Sequence, residues 1–264
     1  MRILFVGDVN SKPGRVCLEN YIAETKAHNR KFDFIIVNAE NAAGGFGLTK
    51  EISKSIFSLG VHCQTSGNHI WDKKEIYTYF ADEPRLLRPA NYPSGAPGLG
   101  YNIYESDLGL KVGVVNLQGR IFMHNIDCPF KAADKIIPEI AEQTNIIFVD
   151  FHAEATSEKQ GLGRYLDGRV SAVVGTHTHV QTVDDRILPG GTAFITDVGM
   201  TGPYDSVIGV EVEDALYRMV TGMPNRFTIA TGDVKLAAVI IDIDEKSGKA
   251  VAMERIFKTV EYRK

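Results

Sequence analysis

Residues 32–41 read FDFIIVNAEN, an apolar run that ends directly in a carboxylate and a carboxamide, Glu40 and Asn41. A short run of this kind, rich in isoleucine and valine, is typical of a strand that is buried on both faces. The N-terminal run RILFVG has the same character and leads into Asp8. Between the two runs, Pro13 opens a stretch with apolar residues at helical spacing. A strand, a helix and a second strand make up the unit from which parallel sheets are built.

The same arrangement recurs along the chain, because further predicted strands also end in side chains of the kinds that bind metals. The strand at 62–66 leads into Asn68 and His69, the run at 145–151 into His152, and the run at 170–175 into His177 and then His179. Ligands of open α/β sheets bind beyond the carboxyl ends of the strands. We therefore expect side chains that are distant in sequence to converge at one edge.

Later segments complete the expected α/β fold. Helices are predicted from residue 50, after the N-cap Thr49, over 72–81, over 130–144 around Pro138, and over 213–221. Strands are predicted at 100–104, 110–116 and 192–196, and a hairpin at 235–243 and 250–260. Alternating strands and helices followed by a hairpin favour one domain, residues 1–264, in which helices cover a mixed and double sheet.

Composition narrows the classes of function. The 264 residues carry a formal net charge of -4, which argues against a general nucleic-acid-binding surface. No segment approaches the roughly 20 apolar residues of a membrane helix, and the apolar run at the N-terminus is too short for a signal peptide. Cys17, Cys63 and Cys128 form no CxxC pair, and we interpret them as reduced packing residues of a cytoplasmic protein.

The expected ligand types indicate a transition-metal site. Carboxylate, carboxamide oxygen and imidazole suit iron, manganese or zinc, whereas no cysteine set for a structural zinc is present. Each signal is weak alone, since an aspartate after a strand is usually a turn or a helix cap. Five such signals at successive strand ends favour a metal site. Glu40, with Asn41 beside it, is the natural carboxylate to bridge two cations, and these would attract an anionic substrate to an acidic protein.

The order of these motifs resembles that of the calcineurin-like metallophosphoesterases. Four longer segments are similar to the bacterial YmdB-type 2′,3′-cyclic-nucleotide phosphodiesterase branch: NAENAAGGFGLT (38–49), SGNHIWD (66–72), GTHTHVQTVDD (175–185) and TDVGMTGPYDSVIG (196–209). The chain departs from the broad superfamily pattern at three positions. Asn10 stands where a histidine is usual, Glu40 where an aspartate is usual, and Ile70 where an acid is usual. These departures match the bacterial branch.

The resemblance implies a four-layer α/β/β/α sandwich, homo-oligomers and an intracellular role linked to RNA turnover or signalling. It also implies a centre of two metal ions, with iron expected and manganese as the alternative. By the resemblance, one metal is held by Asp8, Glu40, Asn41 and His179, and the other by Glu40, Asn68, His152 and His177. His69 is then the catalytic acid.

The function that the resemblance implies is hydrolysis of 2′,3′-cyclic nucleotides, and the expected mechanism is attack by a metal-bridging hydroxide. Two alternatives stay open: a phosphomonoesterase or RNA-end phosphatase on the same centre, and a low-turnover regulatory protein that binds a nucleotide. The expected partner is a small nucleotide or an RNA-end phosphodiester, without a membrane and without a stable nucleic-acid complex.

Two aromatic residues are candidate substrate contacts. Phe46 lies in the glycine-rich segment 44–47, which is either a plain turn, the favoured interpretation, or a cradle in which Phe46 stacks on a base. Tyr204 lies in segment 201–205, which we expect to be a loop at the rim of the cleft.

Overall fold

The strands of the described chain, residues 1–260, form two six-stranded sheets in this computed structural model. The first sheet contains β1 (Arg2–Val6), β2 (Phe34–Asn38), β3 (Cys63–Thr65), β10 (Gly202–Asp205), β11 (Gly232–Ile243) and β12 (Ala250–Thr259). The second contains β4 (Tyr101–Glu105), β5 (Lys111–Gln118), β6 (Ile147–His152), β7 (Ala172–Thr176), β8 (Arg186–Ile187) and β9 (Ala193–Ile195).

Both sheets are mixed. In the first, β1, β2 and β3 are parallel, and β11 runs antiparallel to β1 with Arg2 opposite Asp242. In the second, β5, β6, β7 and β9 are parallel, while β4 and β8 are antiparallel strands at the two edges. The parallel strands of each sheet thus bring their carboxyl ends to one edge, as expected from the sequence.

Helices cover the outer faces of the two sheets. They are α1 (Ser11–Ala27), α2 (Lys50–Ser58), α3 (Ile76–Asp82), α4 (Pro129–Ala141) and α5 (Thr156–Tyr165), whereas a sixth helix, α6 (Val212–Thr221), buries Ala215 alone and packs in none of the hydrophobic cores of the described chain. A short 3-10 helix spans Asn68–Asp72. Leu18 of α1 and Phe80 of α3 pack on the first sheet, while Ile137 of α4 and Leu162 of α5 pack on the second.

A third core lies between the sheets, where Phe5 of β1 stacks on Phe148 of β6 with ring centroids 5.3 Å apart. Along β1, Ile3 and Phe5 face this central core, whereas Leu4 and Val6 face the helices. Both faces are buried, so the strand is a continuous apolar run rather than an alternating one. Three cores between four layers confirm the predicted α/β/β/α sandwich.

Some local predictions were wrong. Segment 201–205 is largely strand β10, paired with β11 through Pro203 and Val234, rather than a loop. Proline is unfavourable in a strand because it has no N–H to donate. It is tolerated in β10 because an edge strand leaves part of its N–H groups unpaired. The helix predicted over 72–81 begins at Ile76, after the 3-10 turn. In α4, Pro129 occupies the first turn and Pro138 lies inside the helix.

Helix α5 was not predicted, because Gly161 and Gly163 weaken its pattern. Gly163 is required by packing, since a Cβ atom there would lie 2.4 Å from the ring of Phe194. Cys17 and Cys63 are buried and free, as expected for packing residues. Within residues 1–260, no helix has the length and apolar character needed to span a membrane. The single domain 1–264 stays a prediction, and its last four residues lie outside the described part.

Candidate metal centre

Ligand-type side chains from both sheets meet at one point. The Nε2 atom of His152, at the end of β6, lies 2.9 Å from Oε1 of Glu40, which follows β2. The same nitrogen lies 3.0 Å from Nδ1 of His177 and 3.1 Å from Oδ1 of Asn68. The ligand atoms of Glu40, His152 and His177 all lie within 4.8 Å of one another. Four side chains of the predicted set therefore share one focus.

A second focus meets Glu40 at the same oxygen, Oε1. The Nδ2 atom of Asn41 is 3.2 Å from Oε1 of Glu40 and 3.2 Å from Nε2 of His179. A half-turn of this amide would exchange its nitrogen for Oδ1. Asp8, directly after β1, accepts a hydrogen bond from the backbone N–H of His177 (3.0 Å) through Oδ2. Glu40 thus contacts both groups, and its role as a bridge between two metals stays a prediction.

The unpaired atoms of the site test whether metal ions fit it. Asp8 and Asn41 are buried, yet Oδ1 of each has no hydrogen-bond partner among the described residues. A buried carboxylate oxygen without a partner is costly unless it binds a cation. Carboxylate, carboxamide and imidazole donors without a thiolate also match the preference of a first-row transition metal. The donor set fits such ions, and its assignment as ligands stays a prediction.

The protonation behaviour of the group follows from burial and close charges. Burial raises the pKa of Asp8 well above its usual value. Burial also opposes charge on Glu40, but the facing His152 together with His69 outweighs it and brings the pKa of Glu40 to about 2. Burial lowers the pKa of His152, but Glu40, together with the charges of Asp8 and Asp150, outweighs it and raises that pKa to about 9. An imidazole binds a metal only in its neutral form, so metal binding by His152 is expected to release a proton.

A hydrogen-bond chain that sequence reasoning missed orients His152. Its Nδ1 lies 3.0 Å from Oγ1 of Thr176, and that hydroxyl donates to Oδ1 of Asp150 at 2.8 Å. The hydroxyl therefore accepts from Nδ1–H, and Nε2 keeps its lone pair for the shared focus. Asn38 donates to the other oxygen of Asp150 at 3.0 Å. The available signal was a single acid, Asp150, inside the apolar run NIIFVDF.

A buried ion pair holds the loop that carries the last two histidines. Lys159 of α5 and Asp197 lie 2.5 Å apart, with side chains 1% and 0% exposed. Asp197 also accepts from the backbone N–H and the hydroxyl of Thr178, at 3.1 and 2.7 Å. His177 and His179, on either side of Thr178, have positive φ angles of 101° and 65°. The anchored Thr178 keeps both histidines in this unusual backbone conformation.

His177 is oriented from its outer side as well. Its Nε2 lies 3.2 Å from Oε2 of Glu154, so Nδ1 is the atom that faces His152. Burial, followed by the charge of His152, lowers the pKa of His177 to about 3. His177 is thereby held neutral, as a ligand must be.

His69 stands apart from both foci. Its backbone N–H donates to Oε2 of Glu40 at 3.0 Å, while its imidazole Nδ1 lies 2.9 Å from Oδ2 of Asp72. The side chain is 32% exposed and touches the ring of Phe46 edge-on, with centroids 5.0 Å apart. His69 is therefore fixed beside the centre, and its Nε2 has no hydrogen-bond partner within residues 1–260.

The centre lies in a cleft of about 710 Å³. Phe46 lines this cleft. It lies within a turn in which Gly44, Gly45 and Gly47 all have positive φ. That geometry agrees with the plain glycine turn favoured from the sequence. Tyr204 donates its hydroxyl to the backbone of Met200 at 2.8 Å and is not among the described side chains that line the cleft. Substrate contacts by Phe46 and Tyr204 stay predictions.

Gly67 gives a direct test of how tightly the centre is packed. A Cβ atom at this position would lie 2.1 Å from Cδ2 of His152. We expect Gly67→Ala to displace His152 and to lower metal content and turnover by more than about 10-fold. Gly161→Ala, on helix α5, is the control. The nearest described atom to its Cβ would belong to Phe130, at an ordinary contact distance of 3.7 Å. Unchanged metal content in Gly67→Ala would contradict a centre built on His152.

Comparisons with known proteins agree with this geometry. A model of the YmdB-like protein family matches residues 4–256. A 2′,3′-cyclic-nucleotide 2′-phosphodiesterase of Bacillus subtilis (strain 168) is 54% identical over 256 residues, which cover 97% of this chain and 96% of that protein.

Two solved structures are also similar. A hypothetical protein from Thermus thermophilus has a TM-score of 0.91 and 42% identity, with 98% of this chain and 99% of that chain covered. A novel phosphatase from Mycoplasma pneumoniae has a TM-score of 0.91 and 33% identity, with 98% and 93% covered. The family predicted from the sequence motifs is confirmed: this chain belongs to the YmdB-like family.

Proposed function

We propose that this chain is a metal-dependent phosphodiesterase that hydrolyses 2′,3′-cyclic nucleotides. The observation that carries the proposal is the convergence of Glu40, His152 and His177 within 4.8 Å, beside an unpaired buried oxygen of Asp8. The name of the Bacillus subtilis relative supports the substrate class and favours it over phosphomonoesters and over a regulatory protein of low turnover.

Two metal ions are proposed, joined by Glu40. Asp8, Asn41 and His179 would complete the first ligand set, and Asn68, His152 and His177 the second. When bound, such ions lower the pKa of a water molecule between them and neutralise charge on phosphoryl oxygens. Iron is the proposed metal and manganese the alternative. A homo-oligomer and a cytoplasmic location are proposed with them.

The protein's own groups would contribute orientation and a proton. His152 is held by Thr176 and Asp150, and His177 by Glu154, so neither imidazole has to reorganise during the reaction. His69 has Nδ1 occupied by Asp72, which leaves Nε2 to give a proton to the departing ribose oxygen. Opening at the 2′ oxygen leaves a nucleoside 3′-phosphate.

One sample can test both the centre and the reaction. We expect elemental analysis of purified protein to find close to two transition-metal equivalents per chain. The same sample should convert a nucleoside 2′,3′-cyclic phosphate to the 3′-phosphate, and a chelator should stop it. A reproducible single equivalent would contradict the dimetal centre. Tight binding of the cyclic nucleotide without product release would instead favour the regulatory protein.

A further inference from the structure

One wall of the cleft supplies none of the predicted ligand side chains, and its one hydrogen-bond contact with them within residues 1–260 is the backbone oxygen of Ile208, 3.3 Å from Nδ1 of His179. It is formed by residues 207–229, which include α6, and it is mainly apolar through side chains such as Val210, Met219, Phe227 and Ile229. An apolar wall of this kind suits the face of a nucleobase.

The same wall carries one cation. Arg218 is the sole lysine or arginine among the described residues that line the cleft. Its guanidinium lies over the ring of Phe227, 5.2 Å from the centroid, and has no ion-pair partner within residues 1–260. An arginine that stacks on an aromatic ring keeps its N–H groups free at the edge of the guanidinium plane, where they can bind an anionic group in a fork.

A cyclic nucleotide bound with its cyclic phosphate at the metal centre extends in two directions from the ribose. The base leaves from C1′ and carries no charge, so it matches the apolar side chains around Phe227. The 5′ oxygen leaves from C4′ and carries a phosphate only when the substrate is 5′-phosphorylated or is the end of a longer strand. A cleft of about 710 Å³ lies in the upper part of the usual range for small-molecule sites and has room for this second phosphate.

We propose that Arg218 binds a phosphate on the 5′ side of the substrate. The preferred substrate is then a 2′,3′-cyclic phosphate that carries a second phosphate, as at the end of an RNA fragment, rather than a nucleoside 2′,3′-cyclic phosphate alone. This inference rests on the proposed function, because it places the cyclic phosphate at the metal centre.

Binding of two product-like probes tests the inference without turnover. Adenosine 3′,5′-bisphosphate and adenosine 3′-phosphate differ only in the 5′-phosphate. Calorimetry on the metal-loaded protein should show the bisphosphate binding roughly 10–100-fold more tightly, the range expected for a charge-assisted fork. Arg218→Gln should abolish this preference, and Arg218→Lys should restore part of it, since lysine keeps the charge but loses the fork.

Arg226→Gln is the matched control. Arg226 lies in the same segment, is exposed and is not among the described residues that line the cleft, so this variant makes the same change of charge and should keep the preference. Equal binding of the two probes by the wild-type protein would overturn the inference. So would a loss in Arg218→Gln that is the same for both probes, since that result would assign Arg218 to the metal-bound phosphate or to the fold.

Turnover separates this inference from the proposed function. Wild-type protein should hydrolyse adenosine 2′,3′-cyclic phosphate with and without a 5′-phosphate, with the higher kcat/KM for the phosphorylated form. Arg218→Gln should remove that advantage, mainly through KM. If neither cyclic substrate is hydrolysed, the proposed function fails, while the contrast between the two probes still decides whether Arg218 binds a second phosphate.

Discussion

Glu40→Gln protein is expected to lose at least one of its two metal equivalents. Turnover of a cyclic nucleotide should fall by more than roughly 100-fold. A loss of about that size can follow from removing a side chain that only hydrogen-bonds to a metal ligand, whereas Glu40 is itself a predicted ligand. Glu40 is fully buried, with Oε1 directed at His152 and Oε2 held by the backbone of His69. Glutamine has nearly the same shape but lacks the charge that holds two cations close together, and its amide nitrogen binds no metal.

The fold should survive the exchange, because the amide oxygen still accepts one hydrogen bond. Circular dichroism and metal analysis on the same sample check both halves of the prediction. Glu51→Gln, an exposed change of the same chemistry in the first turn of α2, should leave metal content and turnover unaltered. Two metal equivalents and full turnover in Glu40→Gln would exclude Glu40 as the bridge.

His69→Ala is expected to lower turnover of a cyclic nucleotide by roughly 10²–10⁴-fold, the usual contribution of a general acid. The ribose oxygen is a poor leaving group and needs a proton on departure. A nitrophenyl phosphodiester needs none, so its hydrolysis should fall much less. Metal content should be nearly unchanged, because the imidazole of His69 faces Asp72 rather than the shared focus of His152 and His177.

His28→Ala is the matched control for this variant. His28 is exposed at the end of α1, where its Nδ1 lies 2.9 Å from the backbone oxygen of Glu24. It should match the wild-type protein on both substrates. A parallel loss of metal in His69→Ala, or equal losses on the two substrates, would show that His69 acts on the centre rather than on the leaving group.

The strands that carry the predicted ligands were readable from sequence because each of those ligands lies at a strand end or within three residues of it. Parallel pairing brings the ends of β1 and β2 together in the first sheet and those of β6 and β7 in the second, and the packing of the two sheets on each other brings the two pairs to one site. The order of the strands in each sheet was not predicted, since apolar runs such as FIIVN pair equally well with several neighbours. Pattern and resemblance together therefore predicted the layers and the place of the centre.

The supporting groups were not predicted, because their roles depend on partners far away in the chain. Asp150 acts through Thr176, 26 positions on, and Lys159 meets Asp197 across 38 positions. Nothing in the local sequence distinguishes Lys159 from a solvated lysine on a helix. The role of residues 207–229 as a wall of the cleft was not predicted for a similar reason, since an apolar side chain that lines a cleft has the same local pattern as one in a core.

In the loop that carries His177 and His179, thermal stability and turnover are expected to place opposite demands on the choice of residue. His177 and His179 adopt positive φ angles that glycine adopts freely, at a cost of order 1–3 kcal/mol for each histidine. A laboratory selection for heat resistance alone should therefore enrich glycine at these two positions. Such proteins would melt at higher temperature and bind metal poorly. Histidine at both positions is therefore expected to persist only where the imidazoles are needed, as the predicted ligand role requires.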